Sequence, residues 1–140
     1  MANQSILADT PISDKNQLNE FLEAGCRRRE EWRIGTEHEK FVFNKSTRAP
    51  CPYEGKAGIR SLLEGMQEFG WKPVFEDSNP ISMQKDGCSI TLEPGGQVEL
   101  AGAQLQNIHQ TCQELHNHLH DIKKIGNKLG VGMIGVAGMG

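Results

Sequence analysis

The sequence SITLEPGGQVEL, residues 89–100, carries the clearest folding signal in the chain. The tripeptide PGG at its centre consists of residue types that form tight turns, and a short segment that can form a strand lies on either side. We therefore predict two antiparallel strands, Ser89–Glu93 and Gln97–Leu100, joined by this turn. In such a hairpin, Glu93 and Glu99 lie near each other on paired strands.

Three further segments extend this hairpin into a larger sheet. Trp71–Glu76 and Ile81–Lys85 flank the turn residues DSNP, which predicts a second hairpin. The segment Trp32–Phe43 alternates in polarity and contains several aromatic residues, which predicts another strand. We expect these five segments to form one sheet, and the glycine-rich residues 130–140 to begin a further buried strand.

Three segments have the apolar spacing of helices. Asp14–Ala24 predicts a short amphipathic helix with Ser13 as its N-cap, and Ile59–Phe69 predicts a second helix. Leu105–Leu129 carries one apolar stripe along a long third helix. Each of the three ends at a glycine. The predicted fold class is α+β, an antiparallel sheet with helices packed on one face.

Length and charge exclude several classes of function. The chain has 140 residues and a formal net charge of −3, which fits one ordinary domain without the basic field that nucleic-acid binding requires. The longest apolar stretch, Val131–Gly140, is too short to span a membrane. Asp9 and Asp14 precede the first arginine, Arg27, which argues against a transit peptide. We expect a cytoplasmic protein with neither nucleic-acid nor membrane partners.

The stretch RIGTEHEKF, residues 33–41, contains a first pair of acidic residues. On a strand, Glu37 and Glu39 point to the same face with Cα atoms roughly 7 Å apart. Phe41 and Phe43 continue that face, so the carboxylates lie at the end of an apolar surface and their desolvation must be offset. A hard divalent cation satisfies this need, with Mg²⁺ favoured by oxygen ligands and Mn²⁺ as the alternative.

The hairpin at residues 89–100 supplies a second acidic pair, Glu93 and Glu99. Four carboxylates on adjacent strands could hold two Mg²⁺ ions and so bind the phosphates of a nucleotide. The alternative is that all four are solvated residues on an exposed sheet face. Arg33 and Gln97 flank the acids and could contact substrate or metal-bound water, although an edge-strand salt bridge is an equal alternative for Arg33.

Three strings carry a resemblance to a known family: WRIGTEHEKF at residues 32–41, ITLEPGGQVELAGA at 90–103 and LQNIHQTCQELHNHLHDIK at 105–123. They resemble the glutamate-cysteine ligases of the plant and proteobacterial type. The resemblance implies a catalytic domain like that of glutamine synthetase, whose antiparallel sheet curves around Mg²⁺ and ATP. It also implies that four carboxylates serve as metal and substrate ligands, which in this chain are Glu37, Glu39, Glu93 and Glu99.

The activity implied by this resemblance is the ATP-dependent joining of glutamate to cysteine, the first step of glutathione synthesis. The γ-carboxylate of glutamate forms a γ-glutamyl phosphate, and the amino group of cysteine then displaces phosphate. The partners are therefore small molecules, namely glutamate, cysteine and ATP. No protein nucleophile is required, so we assign no catalytic residue.

The resemblance also sets expectations for the extent of the chain. Residues 1–140 correspond to the N-terminal part of a single glutamate-cysteine ligase catalytic domain, about the first third of a usual member, so we expect a truncated form that is inactive by itself. A ligase with another amine acceptor is one alternative. A truncated, non-catalytic paralogue is another. The sequence does not determine the oligomeric state.

Two other motifs predict ordinary structure. Residues 130–135 match the dinucleotide-binding pattern GxGxxG, but they follow a helix and run into an apolar strand, which is the wrong context. His109, His116, His118 and His120 crowd the third helix, where we expect a solvated face. Cys112 lies on the predicted apolar stripe, so we expect it in the core.

Overall fold

The structure, a computed structural model, describes residues 11–135. The chain divides into two compact units, Met1–Trp32 and Arg33–Gly140. Among residues 11–135, every strand and the two helices that pack on the sheet belong to the second unit. The candidate site is therefore built entirely by the second unit.

The first unit contains helix α1, Lys15–Ala24, and a 3₁₀ turn, Arg29–Glu31. The helix confirms the predicted segment, but its N-cap is Asp14 and not Ser13. The Asp14 carboxylate accepts a hydrogen bond from the Asn16 backbone N–H at 3.0 Å, and the Gln17 side chain accepts one from the Asp14 N–H at 3.1 Å. This reciprocal capping box fixes the start of the helix one residue later than predicted.

The second unit contains one antiparallel six-stranded sheet in the order β2-β3-β4-β5-β1-β6. The sheet confirms the predicted strands and hairpins. The strands are β1 (Glu37–Asn44), β2 (Lys72–Glu76), β3 (Asn79–Lys85), β4 (Cys88–Glu93), β5 (Gln97–Ala101) and β6 (Val131–Gly135).

Strand β1 begins later than the sequence pattern predicts, at Glu37 and not at Trp32. Upstream of it, Ile34 pairs with Leu105 only as an isolated bridge. The chain joins the continuous ladder after Thr36, whose carbonyl accepts the Gly102 N–H at 2.6 Å. Alternating side chains alone do not show where ladder pairing starts, because an isolated bridge satisfies the same pattern.

The turn between β4 and β5 forms at Pro94–Gly96, as predicted. Gly95 and Gly96 both have φ of 78°, in the left-handed region that favours glycine. Glu93 is therefore paired directly with Gln97 across the hairpin. This register determines which side chains of β4 and β5 lie on the same face of the sheet.

Helices α2 (Ile59–Met66) and α3 (Ile108–Leu129) pack on one face of the sheet, which confirms the predicted α+β class. A 3₁₀ turn extends α2 to Phe69. The hydrophobic core lies between these helices and the inward side chains of the strands. It consists of Val42, Ile59, Leu62, Leu63, Met66, Trp71, Met83, Ile90, Val98, Leu100, Ile122, Ile125 and Val131.

The buried stripe of α3 differs from the predicted one. The predicted stripe included Cys112, but Cys112 is exposed, as is Ile108. The buried stripe instead includes Thr111 and His118. Two expectations were therefore wrong: Cys112 is outside the core, and His118 is not on a solvated face.

The glycines of the GxGxxG pattern occupy the junction of α3 and β6, as the sequence context suggested. Gly130 ends α3 with φ of 72° and Gly132 lies inside β6. Residues 136–140 lie outside the described part of the chain. Within residues 11–135, no helix is long and apolar enough to cross a membrane.

Candidate metal and substrate site

The sheet register places the four predicted carboxylates on one face. Glu39 is directly opposite Glu99, and Glu37 lies two residues before Glu39 on the same strand. Glu93 is opposite Gln97, which is two residues before Glu99. Since cross-strand partners and residues two apart share a face, all four acids project from the side of the sheet opposite to α2 and α3. The sequence prediction of their common face is correct.

The environment of Glu99 disfavours its charged form. Partial burial raises the pKa of the Glu99 carboxyl. A hydrogen bond with Glu93, and the negative charges of Glu93, Glu37 and Glu39, raise this pKa further. A hydrogen bond between two carboxyl groups needs a proton on one of them. The cluster therefore has an excess of negative charge, which a proton or a cation would relieve.

Gln97 and Phe41 lie on the same face as the cluster, beside the acids. They are directly opposite each other in the β1–β5 pairing, and Gln97 is buried. The Gln97 Nε2 group donates to the Pro94 carbonyl at 3.3 Å. Its Oε1 atom is buried and has no hydrogen-bond partner among the described residues. Gln97 therefore presents an unused acceptor beside the acids, consistent with the ligand role predicted for it.

Arg33, the other predicted substrate contact, is not placed by the sheet register. It lies four residues before β1, and its side chain is exposed. Its distance from the carboxylates therefore depends on the segment 33–36 and not on ladder pairing. Its substrate role remains a prediction.

The carboxylates share a face but are not arranged as a metal centre. Among residues 11–135, no three His, Cys, Asp or Glu side chains converge in an arrangement that could hold a metal ion. Glutamate has three rotatable side-chain bonds, so changes of rotamer can move its carboxylate while the backbone stays in place. The sheet register places the acids on one face, and their carboxylates would have to move closer to one another to bind a single cation.

Sequence reasoning missed the basic residues behind the acids. Lys40 is 1% exposed and its ammonium donates to the His38 carbonyl at 2.8 Å. Burial lowers the pKa of Lys40 to about 8, against the opposing attraction of Glu99. Burial, together with nearby Lys40 and His38, lowers the pKa of His118 to about 3. The alternation Glu-His-Glu-Lys in β1 is the signal that could have predicted a basic inner face.

Comparison with known proteins assigns the chain to a family. A sequence profile described as Glutamate-cysteine ligase family 2 (GCS2) matches residues 33–139, which include all four carboxylates. The chain belongs to glutamate-cysteine ligase family 2. The match begins at the boundary of the second compact unit, so the family-defining part of the chain is the sheet with its two helices.

Similar proteins include several glutamate-cysteine ligases of plants. The chain is 45% identical over 123 residues to chloroplastic glutamate-cysteine ligase B of Oryza sativa subsp. japonica, covering 87% of this chain and 24% of that relative. It is 44% identical over 132 residues to the chloroplastic ligase of Nicotiana tabacum, covering 94% and 24%. The ligase of Arabidopsis thaliana is 40% identical over 134 residues, covering 95% and 25%. The chain thus spans about a quarter of the length of these curated relatives.

Proposed function

We propose that this chain supplies the acid-lined part of an ATP-dependent glutamate-cysteine ligase. The observation that carries the proposal is the common face of Glu37, Glu39, Glu93 and Glu99 in a chain of this family. The relatives are named as glutamate-cysteine ligases, which supports glutamate and cysteine as the substrates. ATP and Mg²⁺ are part of the proposal because the site offers carboxylate oxygens, which hard divalent cations prefer.

The residues present fit a divalent cation in charge and ligand type. Glu39 and Glu99 are directly opposite, so their side chains can approach one ion, and Glu37 and Glu93 lie beside them on the same face. Partial burial and the neighbouring carboxylates raise the pKa of Glu99, and a cation beside it would favour its charged form. When bound, Mg²⁺ or Mn²⁺ would neutralise phosphate charge on the nucleotide.

The remaining chemistry needs positioning more than covalent participation by the protein. The γ-carboxylate of glutamate attacks the γ-phosphorus of ATP, ADP leaves, and the cysteine amino group then displaces phosphate from the γ-glutamyl phosphate. Gln97 is suited to orient a donor group of the substrate through its unused Oε1 atom. Phe41 lies directly opposite Gln97 and adds an apolar ring to the same face.

We also propose a cytoplasmic location. The relatives are named as chloroplastic, whereas residues Asp9 and Asp14 precede the first arginine of this chain, Arg27. Transit peptides are rich in arginine and poor in acidic residues. A fluorescent fusion at the C-terminus, followed by microscopy in plant cells, tests this point: a chloroplast signal would contradict it.

A hybrid enzyme tests the ligase function. Residues 33–135 of this chain would replace the matching segment of the Nicotiana tabacum relative, and formation of γ-glutamylcysteine and ADP would be measured. We expect an active hybrid whose kcat/KM falls about 100-fold or more in Glu39→Gln, since loss of a metal ligand removes transition-state charge stabilisation. The matched control Glu76→Gln, on β2, should stay within about two-fold.

The hybrid has clear contrary outcomes. A hybrid that folds but forms no γ-glutamylcysteine would contradict the proposal, as would full activity in Glu39→Gln. Circular dichroism and thermal unfolding of each protein establish that folding is intact. The 140-residue chain assayed alone should form no product, because it spans only about a quarter of the length of the relatives named as ligases.

A further inference from the structure

A recess lies on the opposite side of the sheet from the acids. It has a volume of about 490 Å³ and lies between α3 and strands β1 and β6. This volume is in the range of small-molecule sites. Its lining includes His38 and Lys40 of β1, which alternate along the strand with Glu37 and Glu39. The two sites therefore share a strand and face away from each other.

The charged groups around this recess all have one sign. Lys40 lies among its lining residues, with Lys45 and Lys123 as further cations. Within the part of the chain that the structure describes, no Asp or Glu lines the recess. The Lys45 ammonium is held by the Asn127 side-chain oxygen at 2.6 Å. Cations that line one recess without a carboxylate favour an anion.

The inner part of the recess contains polar groups with unused hydrogen-bonding capacity. Lys40 is 1% exposed, and one of its three N–H groups donates to the His38 carbonyl. The Nδ1 atom of His38 is buried and lacks a hydrogen-bond partner among the described residues. A buried polar atom without a partner is costly, and a ligand oxygen would supply one.

The walls of the recess are mainly apolar. Leu119 and Ile122 line it from α3, and Val131 and Met133 line it from β6. Walls of this kind would not hold a strongly hydrated phosphate dianion, because burial would remove its water without enough donors in exchange. An apolar body with a single negative charge matches both the walls and the cations.

We propose that this recess binds a small apolar carboxylate. Its charged end contacts Lys40, Lys45 and Lys123, and its apolar body lies between α3 and β6. The ligand is held on the face of β1 that does not carry the acids. Binding here is therefore separate from the ligase substrates and goes beyond the proposed function.

A pair of probe molecules tests the charge requirement. The 140-residue chain, labelled with ¹⁵N, would be titrated by NMR with 4-phenylbutyrate and with its neutral analogue 4-phenylbutanamide, at pH 7 and low salt without divalent metal. We expect saturable shifts in β1, β6 and the C-terminal half of α3. The carboxylate should bind about ten-fold more tightly than the amide, which corresponds to about 1.4 kcal/mol. Inorganic phosphate should give no saturable shift.

Two neighbouring lysines provide a matched pair of variants. Lys123 lines the recess, whereas Lys124 lies over the Phe69 ring at 5.6 Å from its centroid. We expect Lys123→Gln to weaken 4-phenylbutyrate binding about three-fold, as for a partly exposed ion pair, and Lys124→Gln to leave it unchanged. Both lysines are exposed, so neither variant should affect folding.

Three results would overturn the proposal. One is equal affinity for the carboxylate and the amide. Another is an equal effect of Lys123→Gln and Lys124→Gln. The third is the absence of shifts in β1 and β6 at probe concentrations that shift other surfaces. Because the assay contains no ATP or metal and measures binding alone, its result is independent of the ligase activity of the hybrid enzyme.

Discussion

The two faces of β1 carry opposite chemistry although they belong to one strand of eight residues. One face presents Glu37 and Glu39, with Glu99 opposite on β5. The other presents His38, Lys40 and the buried Val42 to the helices. The first face gathers like charges that repel one another, and the second contains the packed core. The comparison indicates that the acid face contributes little to stability, whereas the helix face contains the core and, beside it, the proposed recess.

Truncation of a side chain should show the largest contrast between these faces. Leu100 is completely buried on the helix face. Leu100→Ala should lower the free energy of unfolding by about 3 kcal/mol, because it leaves a cavity in the core. Thr91→Ala, on the half-buried acid face opposite Glu99, should cost less than about 1 kcal/mol. Urea unfolding measures both, and equal losses would contradict the assignment of the core to one face.

Acid should destabilise the helix face through His118. Burial lowers the folded-state pKa of His118 to about 3, so the unfolded chain binds a proton that the folded chain excludes as pH falls below 6.5. Between pH 7.5 and 5 this linkage should remove about 2 kcal/mol of stability. His118→Leu should abolish that part of the pH dependence, whereas His109→Gln, at an exposed position of α3, should retain it.

Lys40 should affect stability in a more alkaline pH range than His118 does. Its folded-state pKa of about 8 lies below the usual 10.5, so the unfolded chain holds a proton that the folded chain releases between these values. Stability should therefore rise with pH, by about 2 kcal/mol between pH 7 and 9.5. Comparison with Lys40→Met in metal-free buffer isolates this contribution from other groups. An identical pH dependence in the two proteins would show that the Lys40 charge is not buried.

The smallest expected effect is on the acid face. Neighbouring carboxylates and partial burial raise the pKa of Glu99, which means that its charged form is disfavoured in the folded state. At pH 7, in metal-free buffer, Glu99→Gln should increase the free energy of unfolding by about 0.5 kcal/mol, the scale of a cross-strand charge pair. High salt should reduce the gain. A loss of stability would show that the acids do not repel one another.

Much of the sheet and the acid register could be predicted from local sequence. The PGG turn fixes which residues of β4 and β5 are paired, and the two-residue period of β1 fixes the face of Glu37 and Glu39. Both signals are short-range and need no knowledge of the packing partners. For that reason the common face of the carboxylates was predicted correctly, whereas the predicted start of β1 was wrong.

The stripe of α3 shows why the rest could not be predicted. Ile108 and Cys112 have helical spacing with later apolar residues, yet they are exposed. Burial depends on where the sheet lies beneath the helix, and this tertiary contact selects Thr111 and His118 instead. The role of Lys40 was missed for the same reason, since its burial depends on α3 and β5 as well as on β1.

Calorimetric titration with Mn²⁺ tests the central claim most directly. We expect the chain to bind the ion, and Glu39→Gln and Glu99→Gln each to weaken binding ten-fold or more, about 1.4 kcal/mol. The control Glu76→Gln, on β2 at the far edge of the sheet, should bind as the unmodified chain does. Absence of binding by the unmodified chain, or the same affinity in all four proteins, would contradict the assignment of the acid face as the metal site.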